Sequence, residues 1–338
     1  MAGGLLLLMV VSPAIGQTEG NASPQQTANA ERTWLAFQPP LGQPLRYVLG
    51  EGRGGMINGK AKLVQAESGV EFVFNSLNDS GYVVDFKHLG LVKDQDMSGL
   101  KSDFSSFERM LMQGIMLQYQ ADRFGRPIAL LNWEQVRPRL IEKARHSIRL
   151  VETLSNPRTK KATAKMQGQD GSGTALKLRQ QLADLIATYE RLSPQEATEK
   201  LLGDAALLFG IYPVNVVPNQ PVPIGRDGKT EVIPASESGQ GWRSLSGYDQ
   251  DMKTAKITAE VRGDRASYGR AMEFLADGSR AIDGQLKDVA GALAQDVRET
   301  MQASVRTSDG VPLLVERSVN AEVEGVKFRA TNVFRLVN

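Results

Sequence analysis

The chain keeps a two-residue alternation of apolar and polar positions through most of its length. It changes to a 3.6-residue period in one main block, residues 133–203. In the first part, residues 45–49, 60–66, 70–74 and 82–86 read as strands. Their separators are the glycine run Gly50-Glu51-Gly52-Arg53-Gly54-Gly55, then Glu67-Ser68-Gly69 and Asn78-Asp79-Ser80-Gly81, all with turn chemistry. Leu100, Phe104, Phe107 and Leu111 recur at helical spacing and predict a helix over residues 100–113.

Residues 115–154 combine strand, turn, strand and long helix. Asp122-Arg123-Phe124-Gly125 places glycine where a positive φ is expected, between strands at 115–121 and 127–131. Asn132 then stands at a helix N-cap, with Gln135 as the capping-box partner. Val136, Leu140, Ala144, Ile148, Val151 and Leu154 form the apolar arc of this helix, expected to face the sheet, and Pro138 should kink or delay its first turns. A mobile loop is expected over residues 156–173. A second helix follows, with Leu178, Leu182, Leu185, Ile186, Tyr189 and Leu192 on one face. Ser193-Pro194-Gln195-Glu196 opens a third, with a serine cap, proline at the first helical position and glutamate at the third.

Two-residue alternation then returns. Pro213, Pro218, Pro221 and Pro223 fit edge or extended segments, and strands are expected near 231–233, 253–261 and 299–306. The last two, 313–323 and 326–337, meet at the tight turn Glu324-Gly325. Residues 270–298 read as a hairpin followed by helix. The turns at Ala121–Ile128 and Thr307–Leu313 share a strand–turn–proline–strand pattern. The fold class is α+β: an antiparallel β-rich sheet, or two, with a helical insertion packed on one face. The expected divisions are 1–16, 17–31, a β-rich part 32–132, the helical insertion 133–203 and a second β-rich part 204–338.

The N-terminus adds a compartment. Leu5-Leu6-Leu7-Leu8-Met9-Val10-Val11 followed by Pro13 and the Ala14-x-Gly16 pattern has the form of a secretory signal, with the mature chain starting at Gln17. That apolar run is too short to span a bilayer, which needs about 20 residues. Residues 17–31 are polar and small, and read as a disordered tether. With 0 cysteines there is neither a disulfide nor a thiol for lipid attachment, so the core alone must hold an exported chain together. A hydrophobic content of 41% is enough for that.

Catalytic motifs fail on their context. The letters G-x-G-x-x-G at Gly50–Gly55 run on into strand, without the helix whose N-terminus would hold a pyrophosphate. Gly168 to Thr174 lacks the lysine of a phosphate loop. Asp94-Gln95-Asp96 starts like a calcium loop but has Ser105 where a bidentate glutamate closes one. Ser98-x-x-Lys101 lacks the companion motifs of serine acyl enzymes. His88 and His146 are the only histidines, and both are expected at the surface. No cofactor is implied.

Charge supplies the remaining signal. Residues 123–165 hold 11 Lys or Arg against 3 Glu, a net of +8, while the rest of the chain sums to −6. Arg139, Lys143, Arg145 and Arg149, with Lys160 and Lys161 in the following loop, are candidates for contact with an anionic surface. That surface could be a lipid headgroup, an envelope polymer or an acidic protein. Nucleic acid is disfavoured, because export removes it and few aromatics interleave with the charges. The sequence therefore points to an exported, non-catalytic protein. Its expected role is to bind an apolar or amphipathic ligand between sheet and helices, or to act as an envelope-associated interaction module. The alternative is a hydrolase of envelope polymer working through an unidentified carboxylate pair.

Overall fold

The computed structural model describes residues 33–34, 36–57, 60–94, 104–155, 171–211, 215–216, 222–223, 240–249, 253–263, 296–323 and 326–337. The expected signal, the tether, Lys160 and Lys161, the 231–233 strand and most of the hairpin and helix of 270–298 lie outside them; residues 296–298, expected at the end of that helix, open a strand that runs to Arg306.

The first and last long strands lie side by side at the middle of the sheet, and the rest meanders outward from them. On one side of β2 (Pro44–Ile57) come β3 (Lys60–Asn78), β4 (Gly81–Asp94), β5 (Met116–Ala121) and β6 (Pro127–Leu130). On the other come β13 (Val326–Val337), β12 (Pro312–Val323), β11 (Asp296–Arg306), β10 (Thr254–Gly263), β9 (Gln240–Asp249) and β8 (Val222–Pro223). All neighbours pair antiparallel in this one 11-stranded sheet, so the two β-rich parts share it. A two-stranded ladder joins β1 (Thr33–Trp34) to β7 (Asn215–Val216).

Two expected turns are strand. The glycines from Gly50 to Gly55 lie within β2 and pair on both sides, with β3 and β13. Glu67-Ser68-Gly69 lies within β3, so 60–66 and 70–74 belong to one strand. Ladder pairing on both edges overrides the turn propensity of these residues.

The helices are α1 (Phe104–Met112), α2 (Trp133–Ser155), α3 (Gly171–Arg191), α4 (Pro194–Leu201) and α5 (Gly203–Phe209). The capping box at Ser193 and Glu196 forms as expected. Asn132 does not cap α2 with its side chain. Its Oδ1 accepts from the Gln118 amide and its Nδ2 donates to the Met116 carbonyl, fixing the start of β5. Pro138 neither delays nor interrupts α2, which runs from Trp133 through Ser155. The apolar arc of α2 packs chiefly along α3, and α2 meets the sheet only lightly, at β5. The sheet is covered instead by α1 over β4, α4 over β6 and α5 against β12. At the β6 edge the Leu130 amide donates to Thr198 Oγ1 of α4 at 2.8 Å, which occupies a donor an edge strand would leave open.

Alternation sends one face inward. Leu45, Tyr47 and Leu49 of β2, Phe72 and Phe74 of β3, Tyr82, Val84 and Phe86 of β4 and Leu117 and Tyr119 of β5 are all buried. The rings of Phe74 and Tyr82 meet Phe37, and those of Phe72 and Phe74 meet Phe209, edge-on at centroid distances of 5.1–5.8 Å. Full burial of each such side chain is worth about 1.5–3 kcal/mol. The opposite face is polar: Glu71 is held between Arg46 and Lys87 on the flanking strands. Two turns close one end of the layer around residues 36–38. Gly125 (φ 83°) lies under the Phe37 ring, and Gly310 (φ 73°) sits where a Cβ would come within 2.2 Å of the Ala36 carbonyl oxygen. Both turns are tied by aspartate, with Asp122 Oδ1 accepting from the amides of Phe124 and Arg126, and Asp309 Oδ1 accepting from that of Val311.

Candidate functional site

Among the described residues, a line of polar side chains interrupts the apolar inner face. Glu51 follows Leu49 on the inward side of β2, and Asn332 of β13 stands directly opposite it. Ser68 of β3 is paired with Leu49, so it lies diagonal to Glu51. His88 of β4 is paired with Val70, so it lies diagonal to Ser68. On the far side Arg317 of β12 is opposite Asn332. At about 4.8 Å between strands, these five positions draw an oblique seam across five neighbouring strands.

Helix α1 supplies the lid of the seam. Arg109 donates through both terminal nitrogens to the two oxygens of Glu51, and through Nε and Nη2 to the two oxygens of Asp204 on α5. Side-chain exposure is 13% for Arg109, 7% for Glu51 and 14% for Asp204, so the bridge is nearly dry. Burial pulls the Arg109 pKa down, but Asp204 and Glu51 outweigh burial and hold it above its ordinary value. The preceding residue faces elsewhere: Glu108 accepts from the Tyr189 hydroxyl at 2.7 Å and pairs with Lys200, tying α1 to α3 and α4.

His88 corrects the expectation of a surface histidine. The strand does not stop at Phe86 but runs to Asp94, and alternation along it turns residue 88 inward. His88 is 3% exposed and neither ring nitrogen has a hydrogen-bond partner among the described residues. Burial pushes its pKa down to about 4; Asp204 and Glu51 oppose the shift and Arg109 adds to it. Ser68 Oγ and Asn332 Oδ1 are also buried and without a hydrogen-bond partner among the described residues. Native interiors leave few such atoms, so four of them on three residues along one seam call for a reason. His146 is exposed on α2.

As a catalytic device the seam is poorly equipped. Glu51 and Asp204 do face one another, but Arg109 lies between them and engages all four oxygens. A carboxylate pair that cleaves a glycosidic bond needs one member free to give a proton. Among the described residues no group of three or more His, Cys, Asp or Glu is arranged to hold a metal ion.

The basic residues of α2 lie on its exposed side in two stripes. Lys143 donates to the Gln113 carbonyl beyond α1, whereas Arg145 reaches Glu190 of α3 and Arg149 pairs with Glu142. Arg139, one turn before Lys143, is exposed and has no ion pair among the described residues. Sequence reasoning missed the seam because its members come from seven separate elements. The signal that was present is a charged or polar residue at an inward strand position: Glu51 after Leu45, Tyr47 and Leu49, and His88 after Tyr82, Val84 and Phe86.

No protein-family model matches this chain, and no curated protein matches it. Among solved structures, one concerned with lipid–protein interactions in lipovitellin aligns with 88% of this chain and 25% of its own, at a TM-score of 0.44 and 8% identity. The chain thus spans a quarter of that protein's length, and a likeness this slight carries no argument. No helix among the described residues is long and apolar enough to cross a membrane.

Proposed function

We propose that this is an exported, non-catalytic protein that binds an apolar or amphipathic ligand on the inner face of its sheet. The observation that carries this reading is a change of side-chain size along one apolar surface. Over β2–β5 the inner rows are built of Tyr47, Phe72 and Phe86, packed ring against ring, with Tyr119 buried beside them. Over β10–β13 the rows hold Ala255, Ala259, Ala303 and Ala330 among Ile257, Met301, Val305, Val315 and Val319, with Phe334 as the one ring among the described residues. Small side chains lower the floor of the layer there, while the surface stays apolar. That suits an extended hydrocarbon chain, for which binding sites are mostly apolar with a few polar groups. A hydrolase reading loses support because Arg109 occupies the facing carboxylates.

The test is titration of an environment-sensitive apolar fluorophore into the purified protein. Saturable binding by the wild type is expected, weakened at least tenfold in Ala303→Leu with an unchanged circular dichroism spectrum. Absence of saturable binding by the wild type would overturn the reading.

The cations of α2 support a second, separate proposal, that this helix meets an anionic surface. Exposed Arg139, with Lys143 one turn on, favours it; Arg145, Arg149, Lys160 and Lys161 complete the set. Anionic lipid, an envelope polymer or an acidic protein would each satisfy this chemistry.

A further inference from the structure

The C-terminal end of α1 meets β4, β5 and α2 at one corner, and Gln113 ties that corner together. Its side chain donates to the Leu89 carbonyl of β4 at 3.4 Å, and its amide donates to the Met110 carbonyl of α1 at 3.3 Å. Its own carbonyl accepts from Lys143 Nζ of α2. Gly90, at φ 103°, leaves room for this, since a Cβ there would come within 2.5 Å of the Gln113 side-chain nitrogen. Shortly after Gln113, β5 opens at Met116, opposite Lys87 of β4. Leu89, Met110 and Met116 are each 40–42% exposed, although His88, Leu111 and Leu117 beside them in the chain are buried.

We propose that this corner is a contact site for an anionic lipid bilayer. Leu89, Met110 and Met116 enter the boundary between headgroups and acyl chains, while Arg139 and Lys143 engage the headgroups. This rests on the reading that α2 meets an anionic surface; it names lipid as that surface and adds an apolar anchor beside the cations.

Charge argues first. Lys143 is held by a carbonyl rather than a carboxylate, and Arg139, one turn before it, is exposed with no ion pair among the described residues. The other stripe of α2 is neutralised, Arg145 by Glu190 and Arg149 by Glu142. On β4, Lys87 is engaged by Glu71. The positive charge that α2 leaves without a carboxylate is therefore on the stripe that reaches the apolar corner. Binding at a membrane interface draws on these two elements together, buried apolar area and attraction to anionic lipid. Long basic side chains suit it, because their stems lie along apolar surface while the charge stays at headgroup level.

The kind of apolar side chain argues second. A polyanion would engage the cations and leave Leu89, Met110 and Met116 in water. A protein partner would be expected to seat on aromatic anchors, where interface energy concentrates. None of the exposed large apolar side chains among the described residues is aromatic. Flexible leucine and methionine side chains need no shaped pocket opposite them, and a fluid layer of acyl chains offers none.

The experiment uses the absence of native thiols: with 0 cysteines, one introduced cysteine takes one label. Met110→Cys, and Ser80→Cys just before the far end of β4, are each coupled to a polarity-sensitive nitrobenzoxadiazole dye. At about 3.3 Å per strand residue, Ser80 lies roughly 25–30 Å from Leu89. Each protein is mixed with phosphatidylcholine vesicles, with or without phosphatidylglycerol. A blue shift with at least a threefold rise in emission is expected for the label at residue 110 on phosphatidylglycerol vesicles alone, and no change for the label at residue 80. The triple variant Leu89→Gln, Met110→Gln, Met116→Gln, checked for an unchanged melting temperature, should partition onto those vesicles at least tenfold less while its retention on a heparin column stays the same. Salt-reversible vesicle binding without a shift at residue 110, or equal partition of the triple variant, overturns the apolar anchor and leaves the cationic reading of α2 standing. Retention on heparin without vesicle binding overturns lipid as the partner, in favour of a polymer or an acidic protein. If the protein binds neither, the reading of α2 falls and this inference falls with it.

Discussion

Arg109 of α1 and Glu51 of β2, 58 positions apart in the chain, are joined by two hydrogen bonds in a nearly dry interface. The same guanidinium holds Asp204, so one side chain ties the sheet to two helices. Removing it takes a shared guanidinium away from two carboxylates with little exposure. Arg109→Met is expected to cost about 3–5 kcal/mol in urea unfolding, the range for a broken buried pair. Adding Glu51→Gln and Asp204→Asn should recover more than half of that loss, because the uncompensated charge goes with them. A single variant as stable as wild type would show the bridge to be marginal.

Acid should weaken the fold through His88. Its folded pKa of about 4 lies below the unfolded value of 6.5. Below pH 6.5 the unfolded chain therefore takes up a proton that the folded chain refuses until about pH 4, and stability falls as pH is lowered across that window. At 1.36 kcal/mol per pKa unit the loss reaches roughly 3 kcal/mol. Burial raises the Glu71 pKa, but hydrogen bonds and charge from Lys87 and Arg46 more than offset it and hold the carboxylate below 4.5. Its loss therefore begins lower, and the interval from pH 6.5 to 4.5 reports on His88. Stability measured by urea titration at half-unit steps should slope there in the wild type and flatten in His88→Phe. Equal slopes would remove the histidine from the account.

Ala144 is fully buried in the apolar arc of α2, a helix that packs chiefly along α3. Ala144→Glu places an unpaired charge in that interface, and thermal unfolding should show a loss of several kcal/mol, on the order of 3–5. An unchanged melting temperature would mean the arc is wrongly assigned.

Thr198→Val keeps shape and removes the acceptor of the Leu130 amide. Leaving that buried N–H unmet should cost about 1–3 kcal/mol and raise hydrogen exchange at Leu130 above that of Tyr119. Unaltered exchange would show that the edge is protected by other means.

For the basic helix, replacing Arg139, Lys143, Arg145, Arg149, Lys160 and Lys161 by Gln should abolish sedimentation with anionic vesicles. Such contacts are worth about 1 kcal/mol per charge and fade with salt. Folding should be nearly untouched, since exposed pairs such as Arg145–Glu190 contribute little. Equal binding by the variant, or binding that ignores salt, would reduce these residues to a solvated face.

Much of the fold was legible because local chemistry and tertiary demand agree. The β12–β13 pair was read to the residue at its inner ends, and Ser193-Pro194-Gln195-Glu196 names a helix start that the structure keeps. Where the two disagree, tertiary pairing prevails. The Gly50–Gly55 run looks like a turn until partners on both sides hold it in β2. Asn132 has cap chemistry, but the amide of Gln118 and the carbonyl of Met116 claim its side chain. The seam was not legible at all, since pairing Glu51 with Asn332 requires knowing that the first and last long strands are neighbours.

The most direct test of ligand binding on the inner face is isotope-filtered NOE spectroscopy, with methyl-labelled protein and unlabelled 1-dodecanol. The account predicts contacts from the alkyl chain to the methyl groups of Ala255, Ile257, Ala303 and Val315. Contacts confined to the exposed side of α2, or none at all at saturating probe, would contradict it.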